Sequence, residues 1–63
     1  MCESNAYIKR GDKEELMLQD VARIVPKGDK LVLTGILGNQ VEVRAEIVEL
    51  DLMGHKILLK ETP

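Results

Sequence analysis

The chain has few residues of the kinds that usually carry chemistry. Its 63 residues include one cysteine, one histidine and one aromatic residue, with no Trp and no Phe. A single cysteine excludes an intramolecular disulfide and suits a reducing compartment, where the thiol stays available. A catalytic nucleophile needs a nearby base and a third group that orients the base, and this composition offers no obvious set of that kind. We therefore expect a protein that is not an enzyme.

Long apolar runs and a strong excess of one charge are also missing. The sequence shows neither an apolar stretch of membrane-spanning length nor a signal-peptide pattern, so we expect a cytoplasmic protein without a membrane partner. Nine basic and eleven acidic residues give a net charge of −2, which offers no bulk attraction to a phosphate backbone. The length indicates one domain, residues 1–63. So short a chain buries only about 60% of its unfolded surface, and oligomerisation would help it.

The sequence consists mainly of short runs rich in Val, Ile and Leu, punctuated by five glycines. Strand-length runs between turn residues are typical of all-β folds. We predict a small, partly open antiparallel barrel of the SH3-like or Sm-like kind, with five or six strands. The predicted strands are 6–10, 15–18, 31–33 with flanking residues, 41–52 and 56–60, with a further short strand at 21–25.

The run 41–52 has the clearest pattern. Apolar and charged residues alternate from 41 to 47, which predicts a strand with one buried face. The phase changes there, so we predict a β-bulge or sharp bend at Ile47–Val48. We expect Gly54 to supply the positive φ of a tight hairpin that brings the end of this strand against the last one. The predicted core consists of Val41, Val43, Ile47, Leu50, Leu52, Ile57 and Leu59.

The first two residues offer the best candidate for a binding site. If Met1 is retained, its backbone amine, the deprotonated Cys2 amide nitrogen and the Cys2 thiolate form a chelate; if Met1 is removed, the amine and thiolate of Cys2 do so. Both are planar N/S donor sets, which suit Ni(II) or Cu(II), whereas zinc prefers four tetrahedral ligands. The alternative is that Cys2 has no role, since lone cysteines are commonly small buried hydrophobes.

Three stretches carry a resemblance to a known family. Residues 1–7, Met-Cys-Glu-Ser-Asn-Ala-Tyr, the acidic segment 14–17 and the run 47–51 leading to 55–57 resemble the small CooT-like proteins over nearly the whole chain. The resemblance implies Ni(II) binding through the cysteine after the initiator Met, which is Cys2 here. It also implies a metallochaperone-like accessory role in maturation of a nickel enzyme such as carbon monoxide dehydrogenase. Some members are described as RNA-binding.

Two other features leave alternatives open. His55 could be a metal ligand or a pH switch, or simply a polar turn residue; the first interpretation matters only if the fold brings its turn beside Cys2. A basic patch around Lys9 and Arg10 could bind single-stranded RNA, but such binding also uses aromatic side chains for stacking, and only Tyr7 is present. A small RNA-binding β-barrel module is therefore the alternative function.

We also predict a symmetric homodimer whose N-terminal segments meet near the two-fold axis. The first strand could leave an unpaired edge that invites pairing between chains. Planar Ni(II) takes four donors, and one chain brings only two or three through Cys2, so two chains would supply two amines and two thiolates. The alternative is a monomer that completes the plane with water or with a side chain.

Overall fold

The computed structural model describes residues 3–63. This part of the chain forms one sheet of six strands: β1 (Ser4–Arg10), β2 (Lys13–Lys27), β3 (Lys30–Gly35), β4 (Gln40–Val43), β5 (Ala45–Asp51) and β6 (Lys56–Glu61). The strand order is β4-β3-β2-β1-β6-β5. Within the described residues the sheet does not close into a barrel, so the predicted small, partly open all-β fold is confirmed.

One pairing departs from the predicted antiparallel pattern. Four of the five strand pairings are antiparallel, but β1 and β6 run parallel. The parallel pairing follows from the connection between β4 and β5. These are the two outer strands of the sheet, and only Arg44 separates them in sequence. The chain thus passes there from one edge of the curled sheet to the other, and β6 returns beside β1 in the same direction.

The long bent strand of the fold is β2, not the run 41–52. The predicted strands 15–18 and 21–25 belong to this one strand of 15 residues, and the run 41–52 is divided into β4 and β5. Asp20 in β2 has φ 53°, and the β1–β2 register shifts between Ser4 and Ala6 beside it. Because of this bend, the first part of β2 pairs with β1 and the last part pairs with β3.

The predicted bulge near the middle of β5 is confirmed. The β5–β6 register shifts between Ile47 and Glu49, which leaves Val48 as the extra residue. Leu50 pairs with Ile57, so the end of β5 lies against the last strand as predicted, and Leu52 lies beyond the end of β5.

The core lies on the inner face of the curled sheet. The prediction was correct for Ile57 and Leu59, and Val41 and Val43 pack against the core while only partly buried. It was wrong for the three leucine and isoleucine residues of the β5 region: Ile47, Leu50 and Leu52 are 42%, 53% and 79% exposed. Since β5 is an edge strand of an open sheet, its inner face has few neighbours. The buried core cluster consists of Ala6, Ile8, Leu18, Leu31, Leu33, Ala45, Ile57 and Leu59.

In the turn before β6, the residue with a positive φ is not the one that the sequence predicts. His55, with φ 53°, adopts the left-handed conformation expected of Gly54. Gly54 is close to a neighbouring side chain instead: a Cβ there would lie 2.7 Å from Asp51 Oδ2, so the Asp51 carboxylate would have to move. The backbone nitrogen of Gly54 donates a 2.9 Å hydrogen bond to Asp51 Oδ1, so the carboxylate caps the turn at close range.

Candidate metal-binding end of the sheet

The predicted metal-binding residues, Met1 and Cys2, lie outside the described residues. The structure describes the strand that follows them. β1 lies between β2 and β6 and is therefore paired on both sides. The predicted unpaired edge at the first strand was wrong, because β4 and β5 occupy the edges of the sheet. β1, which begins two residues after Cys2, is thus a central strand of the sheet.

Asn5 fixes the start of β1 through two hydrogen bonds. Its backbone nitrogen donates to the carbonyl oxygen of His55 at 2.9 Å. Its side-chain Oδ1 accepts from the backbone nitrogen of Asp20 at 3.1 Å. Asp20 and His55, each with φ 53°, are the non-glycine residues of positive φ in the range 3–63. One residue therefore joins the bend of β2 and the turn before β6 to the first strand.

The condition that the sequence set for His55, a turn lying beside Cys2, falls on a residue outside the described part of the chain. The parallel register pairs Asn5 with Lys56, so the residue before Lys56 lies beside the residue before Asn5. The side chain of His55 is exposed. The only histidine of the chain therefore lies beside Ser4, the first residue of β1.

The described residues alone do not form a metal site. Between positions 3 and 63, no group of three or more His, Cys, Asp or Glu side chains is arranged to hold a metal ion. The metal-binding role of Met1 and Cys2, whose nitrogen and sulfur atoms would suit a thiophilic ion, stays a prediction.

The same end of the sheet carries exposed apolar side chains. Leu37 and Met53 are 91% and 92% exposed. Met53 is two residues before His55, and Leu37 follows Ile36, whose backbone nitrogen donates a 2.9 Å hydrogen bond to the Asp20 carbonyl oxygen. We call Ile36, Leu37, Leu52 and Met53 the apolar end. Exposed apolar groups of this kind mark interaction surfaces in many soluble proteins.

A cleft lies against one side of this end. Its volume is about 360 Å³, and Met17, Asp20, Ile36 and Asn39 are among its lining residues. Such a volume matches the lower end of the range for small-molecule sites. The cleft is half open to solvent, and its walls belong to the bend of β2 and to the loop after β3. It is continuous with the apolar end, because Ile36 and Leu37 line it.

Two groups of exposed charged side chains on the sheet form ion pairs. Lys56 Nζ binds Glu14 Oε1, and this hydrogen bond raises the pKa of Lys56 above its ordinary value. Arg10 lies 3.1 Å from Glu15 and 3.5 Å from Glu61, and the hydrogen bond with Glu15 raises the pKa of Arg10. Exposed pairs of this kind contribute little to stability.

Comparison with known proteins decides the family. The model of the family described as the CO dehydrogenase accessory protein CooT matches residues 1–60. The chain belongs to the CooT family. A crystal structure of a protein assigned as CooT, from Carboxydothermus hydrogenoformans, has a TM-score of 0.92 and 40% sequence identity, and the match covers 98% of this chain and 100% of that one.

Two archaeal relatives extend the CooT comparison, and both are described as uncharacterised proteins. One, from Archaeoglobus fulgidus, is 51% identical over 43 residues, which are 68% of this chain and 96% of the relative. The other, from Methanocaldococcus jannaschii, is 33% identical over 60 residues, which are 95% of this chain and 98% of the relative. These relatives are therefore similar in length to this CooT-family chain or shorter than it.

The RNA-binding alternative gains no support from the geometry of this CooT-family sheet. Lys9 and Lys60 are neighbours on β1 and β6, but acidic residues pair with both, Glu14 with Lys9 and Glu46 with Lys60. Tyr7 is half buried, and Lys56 Nζ lies 5.3 Å from the centre of its ring. The aromatic ring that stacking on RNA would need is thus already in contact with a lysine side chain, and acidic residues lie opposite both basic ones in the sheet. Residues 3–63 also include no helix able to span a membrane.

Sequence reasoning missed two residues of this site, Asn5 and Asp20. Asn and Asp tolerate the left-handed conformation better than most residues, so Asp20 inside an otherwise strand-like run could have indicated a bend. The role of Asn5 as a bridge had no local signal, since its two partners are 15 and 50 residues away.

Proposed function

We propose that this member of the CooT family binds Ni(II) as a metallochaperone-like accessory protein in the maturation of a nickel enzyme such as carbon monoxide dehydrogenase. The family match supports the accessory role and the choice of client. The observation that supports nickel binding at Cys2 is the anchoring of β1. Because Asn5 ties the start of β1 to the bend of β2 and to the turn of His55, the segment with Cys2 extends from a fixed base.

The proposed donors are the Cys2 thiolate and a backbone amine, which belongs to Met1 if that residue is retained. Such N/S sets suit Ni(II) better than hard cations such as Mg²⁺. All donors must lose their protons before they bind, so nickel affinity should fall as the pH falls. A cytoplasmic location is part of this proposal, because a reduced thiol persists there.

We further propose a homodimer that associates through the apolar end. The small size of the domain favours extra burial, and the apolar end offers side chains such as Leu37 and Met53 that are almost fully exposed in one chain. The apolar end adjoins the start of β1, so pairing of two copies there would bring their N-terminal segments towards each other. Two chains could then share one nickel ion.

An absorption titration of the reduced, metal-free protein with Ni(II) tests the nickel proposal. We expect thiolate-to-nickel charge-transfer bands that saturate at a fixed ratio of metal to protein. Cys2→Ser should abolish these bands, while Ser4→Ala, a matched change two residues away, should preserve them. Nickel affinity and spectrum unchanged in Cys2→Ser would show that the proposal is wrong. RNA retention that weakens with salt would instead support the RNA-binding alternative.

A further inference from the structure

We infer that the first half of β2 binds an extended peptide segment of a partner protein, which adds to the sheet as a further strand. The segment has apolar side chains and a basic residue at the end that lies beside Asp20. We call the side of residues 13–18 that faces away from β1 the open edge. Such binding goes beyond the proposed function and does not depend on nickel. Strand pairing, the cleft and the charges beside it all support such a site.

β2 changes its partner strand at its bend. Residues 13–18 pair with β1, whereas the pairing with β3 extends from Lys27 back to Val21, which lies opposite Gly35. After Gly35 the chain turns back to form β4 on the other side of β3. Among residues 3–63, no strand pairs with the open edge. The position in line with β3 along this edge is therefore not filled by any described strand.

The open edge presents backbone hydrogen-bonding groups. Gly11, with φ 63°, begins a two-residue turn between β1 and β2, and the pair next to such a turn, Arg10 and Lys13, is joined by hydrogen bonds. From there, antiparallel strands alternate between bonded and non-bonded pairs. The backbone N–H and C=O groups of Glu14 and Leu16 therefore point away from β1. An added strand would bond to both residues, which is how extended peptides join exposed sheet edges.

The cleft of about 360 Å³ lies along this edge. Side chains of a strand alternate between the two faces of a sheet, so a pocket on one face touches every second residue. This cleft is instead lined by five consecutive residues of β2, 16–20, and by the loop after β3. Leu16 on one wall is 49% exposed and Ile36 on the other is 54% exposed. The space therefore suits a strand with apolar side chains.

Charge determines which peptide fits. Glu14 is in an ion pair with Lys56. Glu15 is in an ion pair with Arg10. Asp20, at the loop end of the cleft, has no ion pair among the described residues, so a lysine or arginine of the peptide would supply the opposite charge there. Because β1 and β3 both run antiparallel to β2, we place the added strand antiparallel as well, with its basic residue first.

The open edge begins well away from the apolar end. Lys13 pairs with Arg10, the last residue of β1. Asn5, near the start of β1, contacts the turn that contains Met53 and His55. At about 3.4 Å per residue, these two ends of β1 are roughly 17 Å apart. The proposed homodimer through the apolar end therefore leaves the far part of the open edge accessible.

The competing possibility is that the edge is only protected against pairing. Natural proteins block exposed edges with charged residues and bulges. This edge carries Lys13, Glu14 and Glu15, and the β1–β2 register shifts beside Met17. A protected edge binds no peptide, whereas the inferred site does, so a direct binding measurement separates the two.

The experiment follows the amide signals of the isotope-labelled protein by NMR while six-residue peptides with blocked ends are added. Six residues match the length of the open edge. The first peptide is Lys-Val-Thr-Val-Thr-Val. The second has the same side chains but is N-methylated throughout, which removes its hydrogen-bond donors. The third has Glu in place of Lys.

We expect the first peptide to shift the signals of residues 13–18 and of the loop after β3, and to slow hydrogen exchange at Glu14 and Leu16. N-methylation should lower the affinity at least about tenfold, since several backbone hydrogen bonds are lost. Replacement of Lys by Glu should lower it about two- to fivefold, the effect of one exposed ion pair.

Two protein variants test the role of Asp20 in the preference for a basic residue. Asp20→Asn removes the carboxylate but keeps a residue that tolerates the left-handed conformation, so it should bind the Lys and Glu peptides about equally. Asp29→Asn makes the same change in the turn between β2 and β3 and should keep the preference for Lys.

The outcomes that overturn the inference are defined. Absence of shifts at millimolar peptide, or equal binding of the N-methylated peptide, would show that no strand adds to this edge. A preference for Lys that persists in Asp20→Asn would show that Asp20 does not select the basic residue. Nickel titration of the same variants reports on the proposed function separately, because none of these substitutions touches Cys2.

Discussion

The backbone nitrogen of Asn5 donates a 2.9 Å hydrogen bond to the carbonyl oxygen of His55, and so the first strand of the described chain is joined to the residue before the last strand. The parallel β1–β6 pairing begins here and continues to Lys9 and Lys60. Contacts between residues so far apart in sequence require closure of a long loop. The position of the N-terminal segment therefore depends on the folding of the whole chain.

Substitutions at two leucines should separate the true core from the core that periodicity predicts. Leu59 is fully buried, whereas Leu50, which lies outside the apolar end, is 53% exposed. Leu59→Ala should lower the free energy of unfolding by about 2–5 kcal/mol, whereas Leu50→Ala should lower it much less, because about half of that side chain stays in water. Denaturant titration of the metal-free protein measures both values. Equal costs would mean that Leu50 is buried in solution.

This contrast also shows what the sequence could predict about the fold. Alternation in residues 41–47 predicts the face of each side chain, and the change of phase correctly predicts the bulge at Val48. Periodicity does not tell whether a face is covered by other strands. Ile47 points to the same face as Leu59, with which it pairs, yet it is 42% exposed because β5 is an edge strand.

The candidate site was predictable only in part, for a similar reason. The chemistry of Cys2 follows from its residue type and its place after Met1, and this prediction lies outside the described residues. The position of His55 depends on the parallel pairing of β1 with β6, which no local pattern indicates. The bend of β2 at Asp20 lacks the glycine or proline that usually marks a turn, and the sequence predicts two separate strands there instead of one bent strand.

The turn before β6 should show coupling between Gly54 and Asp51. A Cβ at Gly54 would lie 2.7 Å from Asp51 Oδ2, so in Gly54→Ala the carboxylate must move and its hydrogen bond with the backbone nitrogen of residue 54 is lost, which should destabilise the protein by about 1 kcal/mol. Asp51→Ala removes the opposing carboxylate, and Gly54→Ala should cost less in that background. A double-mutant cycle from thermal unfolding measures the difference. Additive effects of the two changes would contradict the close contact.

The Lys56–Glu14 pair predicts a defined pH dependence. Its hydrogen bond raises the pKa of Lys56 above 10.5, so whatever stability the pair gives is present at neutral pH. That stability is lost as the pH rises through the raised pKa of the folded state. In Glu14→Gln, an NMR titration of Lys56 should give a lower pKa than in the wild type. Glu15→Gln, which removes a partner of Arg10 instead, should leave the Lys56 titration unchanged.

The metal-free protein should be folded. The core around Leu33 and Leu59, both fully buried, consists of aliphatic side chains, which do not bind metal. The apoprotein should therefore give a dispersed NMR spectrum and unfold cooperatively. Nickel should add stability only by mass action, about 2.7 kcal/mol at a hundredfold excess over the dissociation constant. Disorder of the apoprotein followed by folding on nickel addition would contradict this expectation.

The proposed homodimer makes a prediction that depends on the apolar end. Sedimentation of the metal-free protein should give the mass of a dimer, and Met53→Lys should give a monomer with unchanged fold, since Met53 is 92% exposed in one chain. Val25→Lys is the matched control: Val25 is 43% exposed and outside the apolar end, so the dimer should persist. A wild-type monomer at high concentration would exclude the dimer, and persistence of the dimer in Met53→Lys would exclude this surface.

Cys2 provides a direct measure of how the two N-terminal segments lie in such a dimer. It is the only cysteine, so every disulfide that forms joins two chains. Mild oxidation of the metal-free dimer should yield the covalent dimer rapidly if the segments meet near the two-fold axis, because a disulfide requires Cα atoms within about 7 Å. The Met53→Lys variant should crosslink much more slowly, since its thiols meet only by diffusion. Nickel bound before oxidation should protect both thiols when the thiolates ligate the ion. Rapid crosslinking that nickel does not slow would place the thiols together while excluding them from the metal site.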